Sequence, residues 1–420
     1  LYFGTALFLY TRRLRTVIIK VSIFFEVVTK GSVLLKFYRK FPGYFNGWTI
    51  CSFIIVMLIL LPNISIIISF FTEKTANWQH IQEFILPTLL KNTSIIIIFT
   101  GGLSILIGTS LAWLVSAYDF PLKRFLNWAL ILPLAIPPYI AAYTYNGILN
   151  YTGIIQSTLR NQFGIQVKQA YFDIMTLPGT IFIFTLFLYP YVYMITRAFL
   201  ANQSASLIEN ARILGSNSFE IFFKVVLPIS RGAIIGGVSL VLLEVLNDYG
   251  VVQYFGVPTF STAIFQTWFG MSDLNAAIKL SATLMLIVFI ILILERILRG
   301  RKKYSYASPK IRPLSPIRLN GWRAFLVSSY PLIILALGFI IPFLQLVQWM
   351  LLTFEKIADP VFLNLIYNSI LVAFIGSLMI VTFAVIIANF ARIHESLLSN
   401  FSARVIILGY SIPGAVSAVC

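Results

Sequence analysis

The sequence predicts an all-α integral membrane protein, and three observations carry that prediction. Of 420 residues, 59% are hydrophobic and 11% charged, and the mean hydropathy of +0.90 is too apolar for the surface of a soluble domain. Apolar windows of about 20 residues, the length a helix needs to cross the hydrocarbon core, recur along the chain. Lys and Arg are divided between alternate loops, as a membrane topology requires.

The windows fall at 48–72, 92–116, 127–150, 178–197, 231–247, 276–296, 324–348, 366–391 and 403–420, nine expected spans. With the N-terminus inside, loops 1–47, 117–126, 198–231, 297–323 and 392–404 hold 23 Lys and Arg, whereas 73–91, 151–177, 248–275 and 349–365 hold 5. This bias sets the orientation and explains the net charge of +17 without a nucleic-acid partner.

Residues 1–47 are basic, and their apolar stretches are too short, or too interrupted by Lys20 and Glu26, to span, so they read as a cytoplasmic or interfacial segment. A six-span block follows at 48–298. Residues 299–323, with RGRKK at 299–303 and no acidic residue, form a cytoplasmic linker whose basic face meets either anionic head groups or a partner. The remaining block, 324–420, holds about three spans.

Several chemistries are excluded. Cys51 and Cys420 lie in or beside apolar stretches, His80 and His394 stand alone, and no zinc-type spacing occurs, so neither a disulfide, a metal site nor a catalytic residue is expected. No GxxxxGK[ST] loop is present, so ATP chemistry belongs to another chain and no cofactor is expected here. The chain opens on Leu1 without a charged n-region and cleavage site, which reads as a fragment.

Shifting the sequence by 276 residues lays 92–117 on 368–393 without a gap over 46 positions. Asn92 meets Asn368, Ala112 meets Ala388, Phe125 meets Phe401, Leu132 meets Leu408, and Ile136-Pro137 meets Ile412-Pro413. Two unrelated apolar helices do not align a helix-opening Asn and an Ile-Pro pair at fixed separation, so the chain carries an internal duplication. The two copies lie six spans apart, an even offset that gives them one orientation, so the repeat is parallel, an arrangement of transporters. The repeat also expects a second copy of loop 208–228 near 484–504, beyond Cys420, so the second half is expected to be truncated.

Loop 198–230 is polar and jointed. Leu207, Ile208, Ala211 and Leu214 share a helical face, and Gly215 supplies the left-handed residue that ends the helix. Asn217 with Glu220 three residues on forms a capping box for a second short helix, which Pro228 is expected to stop at Leu227.

Glu209-Asn210-Ala211, then Gly215, then Leu227-Pro228 resembles the EAA signature of permease subunits in binding-protein-dependent ABC importers, with Asn210 standing where the pattern prefers Ala. The resemblance covers roughly 48–420 and implies a duplicated six-span type I ABC importer permease (MetI-like) fold. It implies that Glu209, Asn210, Ala211, Gly215, Leu227 and Pro228 belong to a coupling loop that docks on an ABC ATPase subunit dimer, where the ATP is used. It also implies a periplasmic solute-binding protein as partner and a bacterial cytoplasmic membrane as location. PLAIPPYIAAYTY at 133–145, LYPYVYMITRAF at 188–199 and residues 241–270 are similar to fused ferric-iron permeases, with thiamine and polyamine permeases sharing parts of them.

Glu244 and Asp248 are four apart at the outer end of the fifth span and share a helical face. They either line a cation path or serve as a helix end and an interhelical bond. Hard oxygen ligands for Fe(III) are available from these carboxylates with Tyr143, Tyr145, Tyr189, Tyr191 or Tyr193, although aromatics near helix ends also form interfacial belts. Pro137-Pro138 and Pro413-Gly414 interrupt matching helices, which points to a central site or hinge. The expected function is ferric-iron import as a permease, not an enzyme. The rivals are import of another solute, an ion-coupled secondary carrier using Glu244 and Asp248, and a non-functional remnant.

Overall fold

A computed structural model describes residues 47–70, 75–165, 167–201, 206–300, 316–357, 359–393 and 412–419. The expectations for 1–46, for most of the linker (301–315) and for 403–411 lie outside the described residues. In chain order the main helices begin with α1 (Gly47–Phe70), α2 (Leu86–Ala117), α3 (Lys123–Ala129), α4 (Pro138–Leu149), α5 (Ile154–Phe163) and α6 (Leu177–Ala201). They continue with α7 (Ser206–Ile213), α8 (Ser218–Ile221), α9 (Leu227–Asn247), α10 (Leu274–Arg299), α11 (Gly321–Leu335), α12 (Ile341–Ile357), α13 (Pro360–Ile393) and α14 (Gly414–Val419).

Six stretches among the described residues are long and apolar enough to cross a membrane: Asn77–Ala117, Leu177–Ala201, Ser218–Asn247, Leu274–Arg299, Gly321–Phe354 and Pro360–Arg392. Each matches an expected window and extends it. The helix-opening role expected of Asn92 is not observed: α2 starts at Leu86 and Asn92 lies within it, its amide donating to Pro258 O at 3.0 Å. Asn368 likewise lies inside α13.

The expected span 127–150 is not one straight helix. Lys123–Ala135 and Pro138–Phe163 meet at a bend of 91°. The cause is local: the residue before a proline is pushed out of the helical region. Ile136 before Pro137 sits at φ −103°, ψ 114°, and Pro137 before Pro138 at φ −55°, ψ 137°. Pro413 precedes α14 as Pro137 precedes α4, as the repeat requires.

Two compact units partition the chain. The described part of the first is 47–60 with 369–393, where apolar side chains such as Val372, Phe374 and Ile380 lie exposed, as on a lipid-facing helix. The second, within 61–368 and 408–420, holds all the candidate coupling-loop and path residues.

At the centre of the second unit is α6, with Phe184, Phe187, Tyr189 and Tyr193 fully buried. Apolar helices in lipid gain little by hiding from each other, so close backbone approach has to hold them. Glycines provide it. A Cβ on Gly108 of α2 would lie 2.7 Å from Val192 Cβ, and one on Gly237 of α9 would lie 2.7 Å from Val192 Cα. Tyr189 and Tyr193 then donate to Leu130 O at 3.0 Å and Asn127 O at 2.9 Å, fastening the segment around α3 to α6.

The helix that follows the linker is strapped to the same core. Strand β1 (Tyr118–Asp119), just after α2, pairs in parallel with β2 (Ile317–Arg318), just before α11, and Leu319 N–H donates to Asp119 O at 2.9 Å. The Ser110 and Tyr330 hydroxyls meet at 2.9 Å one step further on.

Gly237→Val is predicted to destabilise the protein by about 1–3 kcal/mol through overpacking against Val192. Gly102→Val, where a Cβ meets nothing within 4 Å, stays within about 0.5 kcal/mol. Unfolding in mixed micelles measures both; equal losses would contradict the three-helix contact.

Candidate functional site

Two sites stand at opposite ends of one helix. At the first, α7 ends in a Schellman motif: Ser216 N–H donates to Ala211 O at 3.1 Å and Gly215 N–H to Arg212 O at 3.0 Å, with Gly215 at φ +84°. Asn217 then caps α8. Its Oδ1 accepts Glu220 N–H at 2.8 Å, while Glu220 Oε2 accepts Asn217 N–H at 3.2 Å, and Lys224 Nζ sits 3.1 Å from Glu220 Oε1. The jointed pair of short helices is therefore built as the sequence predicts.

The expected stop at Pro228 is not observed. A π-helical turn over Phe222–Val226 joins α8 to α9, and Pro228 sits at the start of α9 inside the continuous stretch Ser218–Asn247. The wider turn rearranges the backbone bonding just ahead of a residue that lacks an N–H. Leu227 and Pro228 thus lie within the rod that leaves the elbow, and do not close a loop.

The apolar residues of the elbow divide between two sides. Ile208, Ile221 and Val226 are buried in a cluster with Leu111, Trp113, Phe120 and Leu126, and Ala211 packs against it. Leu214, expected on that same face, is 84% exposed, together with Ile213 (82%) and Phe219 (72%). The Schellman turn carries Leu214 away from the face its spacing suggests. Glu209 and Asn210 lie on α7, partly and largely exposed.

At the other end of the rod lies a cavity of about 260 Å³. Its polar wall is Tyr191, Glu244, Asn247, Asp248 and Tyr249, and Ile136, Pro138 and Phe184 contribute apolar surface. The Tyr191 hydroxyl stands 3.5 Å from Glu244 Oε1. Asp248 lies just past the helix, its N–H donating to Glu244 O at 2.9 Å and its Oδ1 accepting Val251 N–H at 2.8 Å. No Lys or Arg is among the lining residues.

Of the sequence-predicted path residues, Glu244 and Asp248 come together here, and Pro137 sits at the bend between Ile136 and Pro138. Tyr143 does not line the cavity; it packs against Tyr254 and Trp349 with ring centroids 5.8 and 5.4 Å apart. The hydroxyls of Tyr145, Tyr189 and Tyr193 donate to the backbone oxygens of Leu337, Leu130 and Asn127, so Tyr191 alone of those five tyrosines faces the carboxylates. Pro413 is buried beside Gly414, whose N–H donates to Asn247 Oδ1. Sequence reasoning missed Asn247; its one signal was a polar residue beside two carboxylates near a helix end.

Sequence comparisons with known proteins agree with a membrane permease. Residues 104–302 match the family of binding-protein-dependent transport system inner membrane components. The chain is a nearly all-helical, multi-pass inner-membrane protein with the permease fold. It is 27% identical over 335 residues to an Fe(3+)-transport system permease protein, FbpB 2, of Haemophilus influenzae, covering 79% of this chain and 62% of that protein. The chain thus spans about three fifths of that relative's length. It is 28% identical over 166 residues to the molybdenum transport system permease protein ModB of Escherichia coli K12, covering 40% of this chain and 68% of that one. It is 25% identical over 223 residues to a probable sulfate transport system permease protein of Chlorokybus atmophyticus, covering 53% and 74%. A solved bacterial ABC transporter involved in alginate import aligns at a TM-score of 0.47 and 16% identity, covering 64% of this chain and 98% of that one.

Asn217→Ala removes the cap and Gly215→Val forces a side chain into left-handed backbone, each costing about 1 kcal/mol locally. Hydrogen exchange of amides 206–226 is expected to speed up several-fold in both variants while α6 amides stay protected. Unchanged exchange in the elbow would contradict its assignment as a capped, preformed unit.

Proposed function

We propose that this chain is the membrane permease of an ABC importer, that it passes ferric iron from a periplasmic binding protein to the cytoplasm, and that a separate ATPase dimer drives it through the elbow at 206–226. The importer reading follows the family and the exposed elbow. Ile213, Leu214 and Phe219 present apolar surface on a preformed, partly polar unit, the kind of anchor a partner's cleft takes up. ATP is handled by that partner, and no cofactor is assigned to this chain.

The substrate reading rests on the cavity. The relatives named above are permeases for iron, molybdenum and sulfate, and the last two solutes travel as oxyanions. An oxyanion is held by Arg, Lys or converging N–H donors, whereas this cavity presents Glu244 and Asp248 with Tyr191. Carboxylate and phenol oxygens suit a hard trivalent cation. Two carboxylates attract such an ion without the full ligand set that would trap it, which suits passage.

The test is uptake of radiolabelled ferric iron by cells that express the gene with its ATPase and binding protein and lack their own system. Glu244→Gln and Asp248→Asn are each expected to lower iron uptake on the order of ten-fold, equivalent to ~1.4 kcal/mol. Uptake of molybdate or sulfate in place of iron, unaffected by these substitutions, would overturn the cation reading. At the elbow, Leu214→Glu is expected to cut co-purification of the ATPase about ten-fold; full retention would overturn the docking assignment.

A further inference from the structure

Asn247 does two things at once. Its side chain lines the acidic cavity, and its Oδ1 accepts the N–H of Gly414, 167 residues further along the chain. The repeat offset of 276 places Gly414 on Pro138, which borders the cavity from the first copy. Both residues follow an Ile-Pro pair and both open a helix. Their chemistry differs in one respect: Pro138 has no N–H to give, and Gly414 has one.

Glycine also supplies room, since a Cβ on Gly414 would lie 3.2 Å from Asn247 Oδ1. The anchored segment is packed as well as bonded. Ala415 and Val416 are buried in the cluster formed by Leu243, Leu246, Ile264, Leu280 and Leu284. Asn247 therefore joins the end of α9, where the carboxylates stand, to the break in the second copy.

We propose that Asn247 is a positioning residue that holds the Ile412-Pro413-Gly414 break against the cavity rim, keeping the cavity closed on that side until movement of α9 separates Asn247 from Gly414. A neutral hydrogen bond shifts a two-state equilibrium by roughly five- to ten-fold, enough to favour closure and weak enough to be broken in every cycle. The first copy's Pro138 makes no such bond, so the closure is asymmetric although the repeat is not. This inference rests on the permease reading, and its test requires no knowledge of the solute.

The test uses the full chain in native membranes with Leu188→Cys, a buried position on the cavity wall, in a Cys51→Ser, Cys420→Ser background, labelled from outside with a membrane-impermeant maleimide. Asn247→Ala is expected to raise the labelling rate about five- to ten-fold, the range a single hydrogen bond allows. Gly414→Pro, which recreates the Pro-Pro of the first copy, gives the same increase, and the double variant adds nothing to it. Asn247→Asp, whose carboxylate accepts the same N–H, labels near the parental rate. The proposal is overturned if Asn247→Ala labels at the parental rate, if Asn247→Asp behaves like Asn247→Ala, or if the two single effects multiply. Should Asn247→Ala fail to reach the membrane, Gly414→Pro decides alone. Labelling as expected in a chain that imports no iron supports the closure and refutes only the substrate.

Discussion

The close approach of α2, α6 and α9 at Val192 is the constraint on which the rest of the second unit depends. Gly108 and Gly237 leave no space for a Cβ on either side of that residue, so the three backbones meet where hydrophobic burial alone cannot hold helices in lipid. The contact sets the register of α9 on α6. Tyr191 is the next residue after Pro190 and the neighbour of Val192, and two turns beyond Gly237 it is Glu244 that faces it. The cavity is thus a consequence of glycine packing as much as of its own polar residues.

The same rod carries the elbow at its other end. Ser218–Asn247 runs without a break through a π-helical turn and past Pro228, so a push on the exposed Phe219 side and a shift at Glu244 belong to one helix. The buried side of the elbow joins that rod to Trp113 on α2, and β1 and β2 tie α2 to the helix that opens the second block. The elbow therefore connects to the membrane region in two ways, along the continuous α9 and through apolar packing on Trp113 to the strand pair.

What the sequence made legible was chemistry that acts over a few residues. Gly215, Asn217 and Glu220 specify a helix end and a helix start within six positions, and the structure forms both. The paired prolines 137 and 138 mark a break for the same reason, although their strength, enough to bend a nominal span by 91°, exceeds what an apolar window reveals. Pro228 misled because the π turn ahead of it rearranges the backbone bonding and lets the rod continue past a residue that lacks an N–H. Leu214 misled because spacing counts residues along a helix that had already ended. Asn247 and the tyrosine hydroxyls were invisible for another reason: their partners lie from 53 to 192 residues away, and no periodicity records them.

The central claim is that α8, the π turn and α9 act as one rod between elbow and cavity. Spin labels at Phe219 and Leu242, about 35 Å apart along a helix of this length, would report it by pulsed electron resonance in the transporter assembled with the proposed ATPase, with and without ATP. The account predicts one distance distribution that keeps its mean in both states while the rod moves as a body. A shift of more than about 5 Å, roughly one helical turn, would place a hinge at the π turn and contradict the rod.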